Sequence, residues 1–349
     1  LYTSGTTGRP KGAIISHRQA VWNTINTVLS WDLTAEDVAP VFTPMFHSGG
    51  INVFFLPLVH VGGRSVLVRE FEVEAALELM ERERCTVVFM VPTMFQMVAD
   101  HPRFETVDLS SVRFFISGGA PCPVGLIRRY QERGFVFRQG YGLTEVGVNC
   151  FSMTDEESVR KVGSVGKPIL HSAVRLVGPD GHDVPAGEVG ELWIAGPHVC
   201  SGYWNRPDAT ARSFEGPFFK TGDLARMDED GFFYIVGRSK EMFISGGENV
   251  YPAEVEAVLA EHPAVAEVAV IGVPDPRWGE VGMAVVVPRP GRTVTLDEIR
   301  RFCEGRLARY KIPKHLAVVD ALPRNAYGKV LKRELAEHLA ATAQGGETA

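Results

Sequence analysis

From Leu1 to about residue 160, short β-rich apolar runs alternate with stretches of helical spacing. Thr86–Val91 and Val112–Ser117 read as buried strands, while Val73–Arg84 and Val124–Arg133 repeat apolar residues at the intervals of an amphipathic helix. Strand–helix alternation predicts a layered α/β sheet. From 162 to 238 the pattern shortens to alternating strands at Ala173–Val177, Gly190–Ala195 and Phe232–Val236, separated by turns such as Gly178-Pro179-Asp180-Gly181. No convincing helix interrupts them, and a small β-barrel or distorted sheet is expected. After Arg238 come a helix over Pro252–Glu261, strands at Ala266–Gly272 and Met283–Val287, and a second helix running to about Ala308. Thr295-Leu296-Asp297-Glu298 opens that helix as a capping box. One more strand and an amphipathic C-terminal helix follow, and Gln344–Ala349 has the composition of a disordered tail. The pattern divides the chain into an α/β part at 1–160, a β-barrel-like part at 161–239 and an α+β part at 240–349.

Composition narrows the class. A formal net charge of −6 gives no electrostatic reason for a nucleic-acid partner. Five scattered cysteines, odd in number and without a C-x-x-C pair, exclude a disulfide framework or zinc knuckle and fit a cytoplasmic protein. Ala39–Gly63 lacks acidic and basic residues, yet Pro40, Pro44, Pro57 and a central His47-Ser48-Gly49-Gly50 break any continuous apolar helix. Buried strand, loop and core helix is the reading, with no transmembrane segment; peripheral membrane contact and a homodimer stay open. The chain opens at Leu1, not Met, beside a loop rich in chemistry, so a preceding segment is expected. Without it residues 1–349 are expected to aggregate or be inactive when expressed alone, because the sheet would expose an unpaired edge.

The richest motif is Tyr2-Thr3-Ser4-Gly5-Thr6-Thr7-Gly8-Arg9-Pro10-Lys11-Gly12. Glycines let backbone approach an oligophosphate, hydroxyls donate to its oxygens and lysine supplies charge. Pro10 before Lys11, and Gly12 after it, exclude a Walker A loop. Ala13-Ile14-Ile15 reads as a strand, and the next helix starts at Ser16 in a Ser16–Gln19 capping box, so the grip is strand–loop–strand. In Gln139-Gly140-Tyr141-Gly142-Leu143-Thr144-Glu145, Tyr141 can stack on a base, Thr144 can donate to phosphate and Glu145 can hold magnesium. By itself that run is equally a glycine-rich turn with an aromatic plug, and Asp223 in Thr221-Gly222-Asp223 is equally a ribose acceptor or a turn cap. Gly237-Arg238-Ser239-Lys240 and Gly246-Gly247-Glu248-Asn249-Val250-Tyr251-Pro252 form a junction that reads otherwise as a solvated linker, and Lys329 as a surface lysine.

In that order, over nearly the whole chain, these segments resemble the acyl-adenylate-forming superfamily of acyl- and aryl-CoA synthetases, peptide-synthetase adenylation domains and firefly luciferase. Within it the chain looks most like a bacterial medium- or long-chain fatty acyl-CoA synthetase, on the form of Gly246–Pro252 and on Lys240. The resemblance implies a mobile C-terminal domain and a two-step reaction using ATP, Mg2+ and coenzyme A: a carboxylic acid becomes acyl-AMP, then a thioester. It implies that Thr3, Ser4, Gly5, Thr6, Thr7, Gly8 and Lys11 hold the β- and γ-phosphates, and Thr144 the α-phosphate. Glu145 holds magnesium; Gly119, Ala120, Gln139, Tyr141 and Gly142 border the nucleotide; Asp223 and Arg238 grip the ribose side. Lys329 stabilises charge in the first step, Lys240 is the hinge, Gly246, Gly247 and Glu248 are cofactor-binding residues in the acyl-CoA synthetase form of their segment, and His47 lies near the acyl carboxylate, where a core histidine would otherwise be read. Gly142 and Gly147 leave room for a long chain against a wall of Val146 and Val148; aryl, o-succinylbenzoate and malonate ligases are the alternatives, as is loading of a carrier protein.

Overall fold

The computed structural model describes residues 1–3, 10–324 and 330–345, the last six of these by backbone alone. Two compact units divide between Ile235 and Val236. The first opens with β1 (Tyr2–Thr3) and β2 (Lys11–Gly12), paired antiparallel, then α1 (His17–Trp31) and β3 (Val38–Val41). The apolar stretch after β3 becomes α2 (Ser48–Gly50), a π-helical turn over Ile51–Phe55 and α3 (Leu56–Val61). No helix among the described residues is long and apolar enough to cross a membrane.

β4 (Arg64–Leu67), α4 (Val73–Arg82), β5 (Val87–Met90), α5 (Pro92–Asp100), β6 (Phe114–Ser117), α6 (Val124–Glu132) and β7 (Phe137–Gln139) continue the predicted alternation. β5, β6 and β7 run parallel in that order, and β3 pairs parallel with β4. The Thr86 amide donates to the Val38 carbonyl, placing β3 beside β5. Phe95, Phe115, Tyr130 and Phe137 fill the space between this sheet and its helices, in edge-on ring contacts. Such pairs contribute about 0.5–1.5 kcal/mol each beyond the area they bury.

A polar staple fixes the amino ends of these strands. Asp37, 2% exposed, accepts from Arg113, from the Thr86 hydroxyl at 2.7 Å and from the Thr34 amide at 2.8 Å. Burial pushes its carboxyl up, but bonds from Thr86, Arg113 and Thr34 outweigh that and hold it below its ordinary value of 3.8. A carboxyl depressed on folding stabilises above its unfolded value and loses that share as pH falls through the folded one. Urea midpoints should therefore drop as pH is taken below about 4. Asp37→Asn should flatten part of that acid limb; an identical limb in the variant would remove Asp37 from the account.

Beyond β7, β8 (Phe151–Ser152), α7 (Asp155–Arg160) and β9 (Lys167–Pro168) lead to β10 (Ala173–Val177) and β11 (Val189–Ala195). A helix absent from the sequence reading, α8 (Pro207–Ser213), precedes β12 (Phe214–Glu215), β13 (Phe218–Met227) and β14 (Phe233–Arg238). Pro207 opens α8, and Asp208 ties Arg206 to Arg212 one turn on, local chemistry too short to leave a periodic signal. Of the two forms expected here, the distorted sheet is observed. The order is β10-β11-β13-β12 with β14 beside β13, a bulge lies between Glu191 and Trp193, and no pairing among the described residues closes it into a barrel.

The second unit contains β15 (Phe243–Ser245), β16 (Glu248–Val250), α9 (Pro252–Leu259), β17 (Val265–Asp275), β18 (Gly279–Pro288), α10 (Leu296–Cys303), β19 (His315–Val318) and α11 (Lys332–Gly345). The Thr295–Glu298 capping box forms as predicted, but α10 stops at Cys303, because Glu304 turns extended and Gly305 adopts a positive φ of 76°. α11 carries on through Gln344 and Gly345, which the composition had assigned to the tail. All five cysteines are unpaired and buried.

Candidate active site

Three strands end on one side of the parallel layer. β6 runs into Gly118-Gly119-Ala120, β7 into Gly140–Glu145, and β3 into Pro44–His47. Parallel sheets collect their ligands at carboxyl ends, where loops diverge from neighbouring strands. Gly119 has φ +82°, and the Gln139 side chain accepts from the Cys122 amide at 3.3 Å, tying the loop after β6 to β7. Thr144 is held on both sides: its hydroxyl lies 3.0 Å from that of Ser48, and its carbonyl accepts from Gln19 at 2.9 Å.

Glu145 is 8% exposed. Its Oε1 accepts from the buried Tyr203 hydroxyl at 2.9 Å, and no ion pair reaches it among the described residues. A carboxylate buried without a cation is costly. One oriented carboxylate completed by substrate phosphates is also how Mg2+ is commonly bound, so Glu145 fits that ion. The Lys11 ammonium lies 4.9 Å from the centre of the Tyr203 ring, which brings the end of the phosphate-loop hairpin beside Glu145. Thr3 pairs with Lys11 across that hairpin; Ser4, Gly5, Thr6, Thr7 and Gly8 lie outside the described residues.

Tyr141 and Asp223, 82 positions apart, meet: the phenol donates to the Asp223 carboxylate at 2.6 Å. Burial, then the Asp223 charge, push the phenol well above its ordinary value, so it stays a donor. Its ring stands edge-on to Phe151 at 5.8 Å. Tyr141→Phe removes only the hydroxyl that aims Asp223. It should raise the KM for ATP by about tenfold, the cost of one hydrogen bond to a charged group. An unchanged KM would separate Asp223 from nucleotide binding.

In the segment after β3, His47 caps α2, its Nδ1 accepting from the Gly49 amide at 3.0 Å. Burial holds the imidazole below its ordinary value, so it is neutral at pH 7. Next to it the half-buried Phe89 ring is gripped by two glycines: a Cβ would lie 3.3 Å from the ring at Gly49 and 3.1 Å at Gly118. Gly142 and Gly147 do not provide the space expected of them. A Cβ on Gly142 would collide with the Gly147 and Val148 backbone, and one on Gly147 would stand 2.9 Å from Asn23 Oδ1. Val146 is wholly buried in a different cluster, with Phe151 and Ile194, and Val148 packs against a core containing Phe114 and Ile116. These glycines let chain segments approach closely rather than leave room for a chain.

The remaining candidates belong to the second unit. Arg238 ends β14 and Lys240 lies in the turn that follows. Gly246 and Gly247, at φ +63° and +89°, form the two-residue turn of the β15–β16 hairpin, with Glu248 opening β16. Lys329 lies outside the described residues. Sequence reasoning passed over Tyr203, Gln19, Ser48 and Phe89, none of which sits in a glycine-rich run. It also missed a cavity of about 510 Å³ in this unit, lined by Arg300, Arg309 and Lys314 with only Glu304 opposing.

Residues 1–204 match the AMP-binding enzyme family, and residues 254–329 match the AMP-binding enzyme C-terminal domain. The chain belongs to the AMP-binding enzyme family. This AMP-binding enzyme is 48% identical over 335 residues to a feruloyl-CoA synthase from an Amycolatopsis species, covering 96% of this chain and 68% of that one. It is 43% identical over 339 residues to the indoleacetate–CoA ligase of Aromatoleum aromaticum, covering 97% and 66%. The o-succinylbenzoate coenzyme A synthetase of Bacillus subtilis, solved with ATP and a magnesium ion, matches at a TM-score of 0.88 and 37% identity, covering 96% and 69%. ATP-bound MatB from Rhodopseudomonas palustris matches at 0.90 and 38%, covering 97% and 67%. The chain thus spans about two thirds of the length of these relatives. It shares their mixed α/β fold, with a large N-terminal and a smaller C-terminal domain, and is a member of the AMP-forming acyl- and aryl-CoA ligases, for which ATP, Mg2+ and coenzyme A are the fitting partners.

Proposed function

We propose that this ligase activates an aryl-substituted carboxylic acid, of the arylalkenoic or arylacetic class, and transfers it to coenzyme A. The carrying observation is the Phe89 ring, held edgewise by Gly49 and Gly118 beside neutral His47, at the carboxyl ends of the strands that deliver Thr144 and Glu145. A flat apolar surface beside a polar edge suits an aromatic ring with a carboxylate attached. The similar feruloyl-, indoleacetate- and succinylbenzoate-CoA ligases are each named for an acid carrying a ring. The room a long fatty chain would take at Gly142 and Gly147 is filled by backbone and Asn23, which weighs against that class of acid.

In the first step the acid's carboxylate oxygen bonds to the α-phosphorus of ATP and pyrophosphate leaves. Thr144 donates to the α-phosphate, while Lys11 with Ser4, Thr6 and Thr7 holds the outer phosphates. Magnesium, when bound, lowers the repulsion between those phosphates and the entering carboxylate. Asp223, aimed by Tyr141, accepts from the ribose. In the second step the coenzyme A thiolate bonds to the acyl carbonyl carbon and AMP departs; the cation-lined cavity of the second unit suits the phosphate groups of coenzyme A. Pyrophosphate release by the full-length protein, measured with hydroxycinnamic, arylacetic and dodecanoic acids, tests the substrate class. The ring acids should show the higher kcat/KM. Preference for dodecanoate would restore the fatty-acid reading, and turnover with a holo-carrier protein but not coenzyme A would make the protein a loading module.

A further inference from the structure

Helix α1 buries a polar face. Gln19, Asn23 and Thr27, one turn apart on the same side, are 2%, 2% and 0% exposed. Apolar residues would fill such a face at lower cost, so the choice of amides and a hydroxyl needs partners to explain it. The partners lie on one stretch of chain. Gln19 Nε2 donates to the Thr144 carbonyl at 2.9 Å, Asn23 Oδ1 accepts from the Val148 amide at 3.1 Å, and Thr27 Oγ1 accepts from Asn149 Nδ2 at 2.8 Å. Three successive turns of helix thus hold a loop whose Thr144 carbonyl and Val148 amide belong to no strand ladder.

Asn23 does a second thing. Its Nδ2 donates to the Asn52 carbonyl at 2.8 Å, within the π-helical turn that continues the segment starting at His47. One buried amide therefore bonds both the loop bearing Thr144 and Glu145 and the segment bearing His47, which meet again where Ser48 touches Thr144. Gly147, at φ +82°, admits the approach, because a Cβ there would press on Asn23 Oδ1. We infer that Asn23, assisted by Gln19 and Thr27, is a positioning residue that sets the register between the phosphate-side and acid-side segments. The inference rests on the acid-activating role given to Thr144, Glu145 and His47.

A displacement of about 1 Å at reacting groups costs up to about 10²-fold in rate. In the full-length protein, Asn23→Ala should lower kcat for acid-dependent ATP–pyrophosphate exchange by up to about 10²-fold, with the KM for ATP little changed. Hydrogen exchange over residues 144–149 should quicken while the β5–β7 sheet keeps its protection. Asn23→Asp retains an acceptor for the Val148 amide and should recover part of the rate and of the protection. Should Asn23→Ala fail to fold, Gln19→Ala carries the test, since it deletes one part-buried bond to Thr144; its kcat should fall by about tenfold. The proposal is overturned by a folded Asn23→Ala or Gln19→Ala with unchanged kcat. It is also overturned if Asn23→Asp is no better than Asn23→Ala and both lose rate only as the folded fraction falls. If the wild type exchanges pyrophosphate with no acid, the ligase reading fails instead, and protection over 144–149 still tests the ladder.

Discussion

Lys329→Ala suppresses acid-dependent ATP–pyrophosphate exchange by about 10²–10³-fold, the effect of deleting one preorganised charge at a transition state. In the first step a carboxylate must reach the α-phosphate, so negative charge accumulates where two anions meet. We propose this role for Lys329 from its motif; the described residues that flank it in sequence are anchored on both sides. Arg324 and Val330 form an antiparallel bridge, Arg324 is paired with Glu267 at 2.6 Å, and Lys332 sits between Glu241 and Glu256. Burial pushes the Lys332 ammonium down, but the two carboxylates outweigh it and keep it charged. Given preformed acyl-AMP and coenzyme A, the same variant should make thioester at near the normal rate, because that step forms no new bond to phosphorus. Equal slowing of both half-reactions would make Lys329 a structural residue.

Glu145→Gln is the second large effect. Glutamine keeps an acceptor for the Tyr203 hydroxyl and the shape of the site, and removes only charge. Apparent affinity for magnesium in the exchange reaction should fall by about 10–100-fold. AMP binding, followed by calorimetry without metal, should be nearly unchanged. A magnesium titration that overlays the wild type would assign Glu145 to supporting Tyr203.

Local signals in the chain were the legible ones. Strand–helix alternation located β5, α4, β6 and α6 within a few residues, and the Thr295–Glu298 box marked the start of α10. Periodicity says nothing of distant partners, and the site is built from those. Gln19 reads as a capping residue, and its backbone amide does donate to the Ser16 hydroxyl as expected, but its side chain is spent on Thr144, 125 positions away. Tyr141 reads as a stacking ring until Asp223 is found at its hydroxyl. Gly142 and Gly147 read as empty space, yet glycine also marks where backbone passes close to backbone, and only coordinates separate the two. The helix α8 escaped because one turn of capping and ion-pair chemistry carries no amphipathic stripe.

The central claim is that an aryl acid is activated through AMP at the Phe89–His47 end of this site and captured by coenzyme A. The full-length protein, supplied with Mg-ATP, coenzyme A and an equimolar mixture of hydroxycinnamic, arylacetic and dodecanoic acids, tests it in a single mass-spectrometric product analysis. The account predicts AMP, pyrophosphate and aryl-CoA thioesters in excess over dodecanoyl-CoA. ADP and phosphate in place of AMP, or dodecanoyl-CoA as the main thioester, would contradict it.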